Sequence, residues 1–439
     1  MPLSASNRLK RSRLWMMLLL LLGGIYALAS LPLCPQGQQK PPTVLASQTS
    51  TAVLEVGAAK AEILIPHWPV TVAGYGPVRA NASEQTLPLY ARALVLKAEG
   101  FSLSLLSLDV LMVSAGFVEE LQKQVGEVLV VPVHSHSSIG GFDERWQAQV
   151  AAMGRFHAAQ HQAVLEACLQ AVQEARKNLQ KAHFQWEEST LENMTAPRSG
   201  KQVDRRLLRL WWEGEAEGEA EAEAEKKHPP TLAQILLLSA HPTLVKATAT
   251  QLNPDYPGEL ALLEEKAGRG LTLVWPSAVA NARIVFPEAT PQLFAQKLHE
   301  HLLSLAPMEA SGPKAAPVEM HHARIRFSLP AMDTSRLVPT FLKGPANNLL
   351  CRGIAAEAEL SVLRVGGVQL VAVPFEVSAE AALALEEAGL GRSLSIANDY
   401  LGYLETADNV DNSAGESKLQ YFDKSLLGHL IQAAQAVTH

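Results

Sequence analysis

Four runs of apolar residues each lead to a side chain that can bind a metal ion. Residues 127–133 (EVLVVPV) run into His134-Ser135-His136, and residues 235–240 (ILLLSA) run into His241-Pro242. Residues 368–374 (VQLVAVP) reach Glu376, and residues 394–397 (LSIA) lead through Asn398 to Tyr400 and Tyr403. Imidazole, carboxylate and phenol gathered in one place make a zinc-type donor set, and an open position on such an ion activates water. In an extended segment residues i and i+2 face the same side, so His134 and His136 can line one cavity, one as ligand and one as an acid/base group. Ser137–Phe142 (SSIGGF) then brings glycines, where backbone amides can approach a ligand. Each signal taken singly has an ordinary structural reading. His241 can be satisfied by backbone at a strand exit, Glu376 can favour the start of the helix that follows, and the tyrosines can simply pack.

Short runs rich in Val, Ile and Leu read as buried, parallel strands. Ligands in open α/β sheets bind outside the carboxyl ends of such strands, which is where the four candidate groups fall. Further strands are expected at 52–56, 61–65, 90–97, 101–108, 206–212, 271–275, 323–328 and 359–365. Helical spacing covers 116–126, one long stretch over 144–180, 291–305, 378–388 and 426–437. The alternation gives an α/β fold with mixed or mostly parallel sheets and flanking helices.

The 439 residues, 48% hydrophobic, suffice for a large core in one big domain or two. Within a low-complexity stretch over 213–230, the net charge of −7 is matched by the segment 213–225 with its seven glutamates. Without it the charges balance, so no nucleic-acid partner is implied. Three cysteines, Cys34, Cys168 and Cys351, form no CxxC pair, which argues against a disulfide framework and a thiolate zinc site. His157 and His161 lack the glutamate of an HExxH motif, and His299/His301 and His321/His322 lie in charged stretches.

The amino terminus reads as a targeting segment. Arg8, Lys10, Arg11 and Arg13 precede an apolar run that continues to Leu33. Residues 1–34 are thus a signal peptide, cleaved near Ala27-Leu28-Ala29, or a retained signal-anchor, and either sends the remainder out of the cytoplasm. Residues 35–50 read as a Pro/Gln/Ser/Thr-rich linker, and 51–439 as the folded catalytic domain.

Several segments together resemble the neutral/alkaline, non-lysosomal ceramidases. VPVHSHSSIGGF resembles the family's THTHSGPGG-type segment, SAHPTL its AxHPT segment, VAVPFE its VPxE segment, and IANDYLGYLET its NxYxxYxxT segment. VGAAKAEILIP, VAGYG, LYARALVL and LLSLDVLMVS resemble its opening strands, all in the family's order over roughly residues 53–406. The resemblance implies the ceramidase N-terminal-domain fold and an extracytoplasmic hydrolase cleaving an N-acyl amide bond with one zinc ion per chain. It places the metal on His134, His241, Glu376 and Tyr403, gives His136 the contact with the reacting centre, and matches Arg198 to an arginine that holds substrate or product oxygens. It implies an N-acyl lipid or related amide as substrate, with membrane association through the N-terminal segment or the substrate. Two features depart from the pattern. Residues 275–281 (WPSAVAN) lack the family's Gly-Asp loop, and the chain stops soon after the tyrosine loop, as in a short form without the C-terminal β-sandwich. Two other functions therefore stay open: a non-catalytic binding protein on the same scaffold, and a metallohydrolase for a different amide or ester.

Overall fold

The computed structural model describes residues 15, 19–31, 33–76, 80–215, 230–285, 288–305 and 316–436. The basic residues 8–13 and residues 216–229 of the low-complexity acidic stretch lie outside these.

Twelve strands form one large branched sheet. They are β1 (Thr43–Glu62), β2 (Tyr90–Ala98), β3 (Phe101–Leu108), β4 (Val128–Pro132), β5 (Gln180–Thr190), β6 (Arg206–Gly214), β7 (Thr231–Leu238), β8 (Leu271–Pro276), β9 (Pro317–Ser328), β10 (Glu357–Val365), β11 (Val368–Ala372) and β12 (Arg392–Leu394). The 20-residue β1 is shared by two halves. Residues 43–53 pair with β9, and the sheet continues through β10 and β11 to β12. Residues 54–62 pair with β2 on one side and β5 on the other, and the sheet extends to β4 and to β8. Residues 43–50, expected as linker, are therefore strand.

The two halves face one another. Leu54, Leu96 and Leu105 from one share a core with Leu363, Val365 and Leu370 from the other. Helices close the outer faces. α1 (Ala115–Val125) and α2 (Ala158–Lys177) cover β2–β4, α3 (Asp255–Lys266) and α4 (Pro291–Ser304) cover β6–β8, and α6 (Ala379–Glu387) and α7 (Leu426–Gln435) cover β9–β11. In β6, Leu208, Leu210 and Trp212 point to the inter-sheet core while Leu207 points to the helices.

The sheet is mixed, and its three parallel pairs are β3–β4, β7–β8 and β11–β12. Its other pairs are antiparallel. The continuous apolar runs arise because a helix–sheet–sheet–helix stack buries both faces of a strand whatever its direction. All four strands leading to the candidate residues, β4, β7, β11 and β12, belong to the parallel pairs.

The expected helix over 144–180 is interrupted. A turn of helix at Trp146–Ala148 passes into a π-turn at Gln149–Met153, and Gly154 at φ 73° ends it before α2 begins. A Cβ on Gly154 would stand 2.6 Å from Thr71 Cγ2, so this crossing needs glycine. Beyond residue 177 the chain is the strand β5, not helix. Cys34 and Cys351, 317 residues apart, form a disulfide, contrary to the expectation from spacing, and Cys168 is buried and free. Among the described residues, no helix is long and apolar enough to cross a membrane.

Candidate metal centre

His134 leaves β4 through a backbone that continues to pair with the neighbouring strand's exit. Its N–H donates to Val110 O at 3.1 Å and its φ is 67°. The ring is then fixed by Nδ1, which donates to Leu111 O at 2.9 Å. His241, beyond β7, is fixed the same way, by its N–H on Ala282 O and by Nδ1 on Val279 O at 3.2 Å. Holding the proton on Nδ1 leaves each Nε2 lone pair free to face the centre, the arrangement that metal-binding histidines use. Glu376 begins a short strand, Glu376–Val377, that runs parallel to Tyr403–Leu404. The tyrosine loop is pinned to β4 by Asn398, which donates its N–H to Val130 O and accepts Val130 N–H on Oδ1 at 2.7 Å.

Three imidazoles converge. His136 Nε2 is 3.3 Å from His134 Nε2 and 3.1 Å from His241 Nε2. Glu376 Oε1 is 3.4 Å from His134 Nε2. Among the described residues, His134, His136 and His241 are a group that could hold a metal ion. The distances suit one: ligands about 2.0–2.1 Å from a tetrahedral ion are about 3.3 Å from one another. Glu376 Oε2 is buried without a hydrogen-bond partner, which leaves acceptor capacity at the centre unused.

Electrostatics agree with neutral imidazole and ionised carboxylate donors. Burial pushes His136 well below the ordinary imidazole value and His241 down to about 4, so both are neutral near pH 7. Burial would raise Glu376, but His134, His241 and the Tyr400 O–H, which donates to Oε1 at 2.8 Å, hold it below the usual carboxylate range. Burial and then the Glu376 charge push Tyr400 and Tyr403 well above the ordinary phenol.

The remaining sequence candidates also reach this centre. Tyr403 lies between Glu376 and Arg198, whose Nη2 donates to the Tyr403 oxygen at 3.5 Å and to Ala280 O at 2.7 Å. Glu416 accepts from Arg198 Nε at 3.0 Å. The residues line a cavity of about 490 Å³ whose walls are mostly apolar, with Leu111, Met112, Trp146, Val150, Leu350 and Leu401 among them. The other histidine pairs are elsewhere: His161 bonds Glu120, His299 bonds Glu264, and His301 bonds Ser189.

Residues 54–269 match the sequence model described as neutral/alkaline non-lysosomal ceramidase, N-terminal. Residues 54–269 belong to the neutral/alkaline non-lysosomal ceramidase family. The fold agrees over a longer span. The neutral ceramidase from Pseudomonas aeruginosa superposes with a TM-score of 0.66 at 16% identity, covering 88% of this chain and 74% of that one. A ceramidase complexed with C2 superposes with a TM-score of 0.69 at 15% identity, covering 88% and 75%. No curated protein sequence matches. Family and fold are those of a ceramidase-like hydrolase.

Against this ceramidase frame the altered 275–281 loop acts through its backbone. Val279 O holds His241 and Ala280 O holds Arg198, contacts that do not require the missing Gly-Asp side chains. Sequence reading missed three supporting residues. Tyr75, read only within the VAGYG segment, places its ring 5.1 Å from that of His136 and donates its O–H to Val245 O at 2.6 Å. Gly74 at φ 93° lies so close that a Cβ would stand 2.8 Å from His136 Nδ1, so the GYG spacing was the available signal. Asp255 accepts the N–H groups of Leu244 and Val245 and so holds the loop after His241. Glu416 carried no sequence signal.

Proposed function

We propose that the chain is a zinc-dependent hydrolase that cleaves the amide bond of an N-acyl lipid. The observation that carries this reading is the convergence of three imidazole Nε2 atoms beside Glu376 at one end of a largely apolar cavity. His134, His241, Glu376 and Tyr403 would hold the ion, as the family resemblance implies. Bound zinc supplies an acidified water and a Lewis acid for the amide carbonyl. The chain's own groups do the rest. Neutral His136 can take a proton at Nε2 and return it to the leaving amine. Arg198, fixed by Glu416 and Ala280 O, presents donors for the carbonyl oxygen as it gains charge. Leu111, Trp146, Val150 and Leu350 offer an apolar lining suited to hydrocarbon and restrict water near the bond. The relative complexed with C2 supports a substrate of this class.

The N-terminal sequence and the Cys34–Cys351 disulfide both support an extracytoplasmic location, where disulfides persist. A second reading makes His136 a ligand in place of Tyr403, and the 3.1 and 3.3 Å Nε2 separations favour it. The test is hydrolysis of N-acyl sphingosine by the purified chain, before and after chelation and with zinc restored. Zinc-restored release of fatty acid supports the function. A zinc-loaded, folded protein inert on N-acyl sphingosines and on simpler N-acyl amines contradicts it.

A further inference from the structure

The helix over residues 19–29 exposes apolar side chains on every side. Leu19, Leu20, Leu21 and Leu22 are consecutive, so they point around most of the helix circumference, and each is between 52% and 71% exposed. A protein partner covers one stripe of a helix, whereas a helix apolar all round requires an apolar solvent. Residues beyond this helix are fastened to the wall of the cavity. The Asn348 amide donates to the carbonyls of Ala29 and Leu31, Leu33 N–H donates to Asn348 Oδ1 at 3.2 Å, and Gln36 Nε2 donates to Ile354 O at 2.8 Å. The Cys34–Cys351 disulfide closes this attachment covalently.

Cys351 follows the helix α5 (Lys343–Leu350), whose last residue, Leu350, lines the cavity together with Ile354. The opposite lip is bonded to the same turn: Trp146 Nε1 donates to Arg352 O at 3.0 Å and Gln147 Nε2 to Leu350 O at 3.1 Å. Around it Phe341 is 64% exposed and Leu349 55%. The apolar helix, Phe341 and Leu349 therefore gather beside Trp146 and Val150, exposed residues of the cavity lining. Arg8, Lys10, Arg11 and Arg13 precede the helix in the sequence and complement anionic headgroups.

We propose that this surface is a bilayer-docking face and that the Cys34–Cys351 disulfide fixes the N-terminal segment against the lip, so that the helix and the cavity mouth meet the same membrane. The inference deepens the proposed function and rests on it for the lipid that the cavity would admit, but its own readout is binding.

The test is sedimentation of the full chain with phosphatidylcholine vesicles, with and without phosphatidylserine. The variants are Phe341→Asp/Leu349→Asp and, on the distant helix α4, Leu303→Asp at a similarly exposed leucine. The expected result is partitioning that strengthens with phosphatidylserine, falls at least about tenfold in the double variant, and changes less than about twofold in Leu303→Asp. Turnover of a short-chain, soluble N-acyl substrate is unchanged in the double variant. Failure of the wild type to partition, equal partitioning of wild type and double variant, or an equal loss in Leu303→Asp overturns the docking face. A protein that partitions as expected and never hydrolyses an N-acyl substrate overturns the proposed function and leaves the docking face standing.

Discussion

Replacing Arg92 by Met will destabilise the chain in a pH-dependent way. Arg92 Nη1 donates to both oxygens of Asp109 at 2.8 Å, and the two side chains are 1% and 0% exposed. Asp109 begins the turn whose next two carbonyls, Val110 O and Leu111 O, hold His134, so this pair underlies the metal centre. Arg92→Met strands the carboxylate, and removing one partner of a buried pair costs about 3–5 kcal/mol. Asp109 keeps one donor, the Tyr90 N–H at 2.9 Å, which argues for the lower end, about 3 kcal/mol. Asp109→Leu costs less than Arg92→Met, because Arg92 Nε retains Glu265 at 3.2 Å. Burial already raises the Asp109 carboxyl above its ordinary value, and loss of the guanidinium raises it further. For an acid raised on folding, the unfolded state releases its proton first as pH rises. Stability therefore falls from about pH 4 upward until the folded-state value is passed. Urea unfolding near pH 5 and near pH 8 reads the difference directly. The single variant should lose about 3 kcal/mol at the higher pH and less at the lower, and Arg92→Met/Asp109→Leu should lose less than Arg92→Met alone. An equal loss at both pH values, or a double variant worse than the single, would refute the stranded-charge argument.

Other consequences are as direct. His136→Gln should lower kcat by about 10²–10⁴-fold while metal content stays at that of the wild type, as a proton-transfer role requires. Loss of metal from that variant would make His136 a ligand instead. Glu416→Gln should lower kcat/KM by about tenfold with metal content unchanged, because Arg198 keeps Ala280 O but loses its charged partner. An unaltered rate would show that Arg198 needs no such anchor. Peptide mapping without reductant should recover residues 34 and 351 in one linked fragment and Cys168 as a free thiol.

The strand ends carrying His134, His241, Glu376 and the tyrosines were legible because strands buried on both faces print unbroken apolar runs, and the donors stand where those runs stop. Direction was not legible in the same signal, since a strand between helix and second sheet is as apolar when antiparallel. The helical period over 144–180 hid the π-turn at Gln149–Met153, which shapes the cavity wall, and β5, which lies almost wholly beyond that period, was not expected as a strand because its QWEEST is polar and only partly buried. Tyr75, Asp255 and Glu416 act on the centre only through tertiary contact, with spacings of 61, 14 and 218 residues from the groups they serve, so no local pattern announces them. The Cys34–Cys351 bond belongs to the same class, formed between an N-terminal segment and a helix that meet only in the fold. The resemblance to the ceramidases supplied what periodicity could not, a ranking of His134, His241 and Glu376 above the chain's other histidines and acids.

Metal content of the purified chain after exhaustive dialysis tests the central claim most directly. The account predicts about one zinc ion per chain in the wild type and none retained by folded His134→Ala or His241→Ala. A well-folded wild type that holds no zinc when dialysed against zinc-containing buffer, or that holds as much after both substitutions, would contradict it.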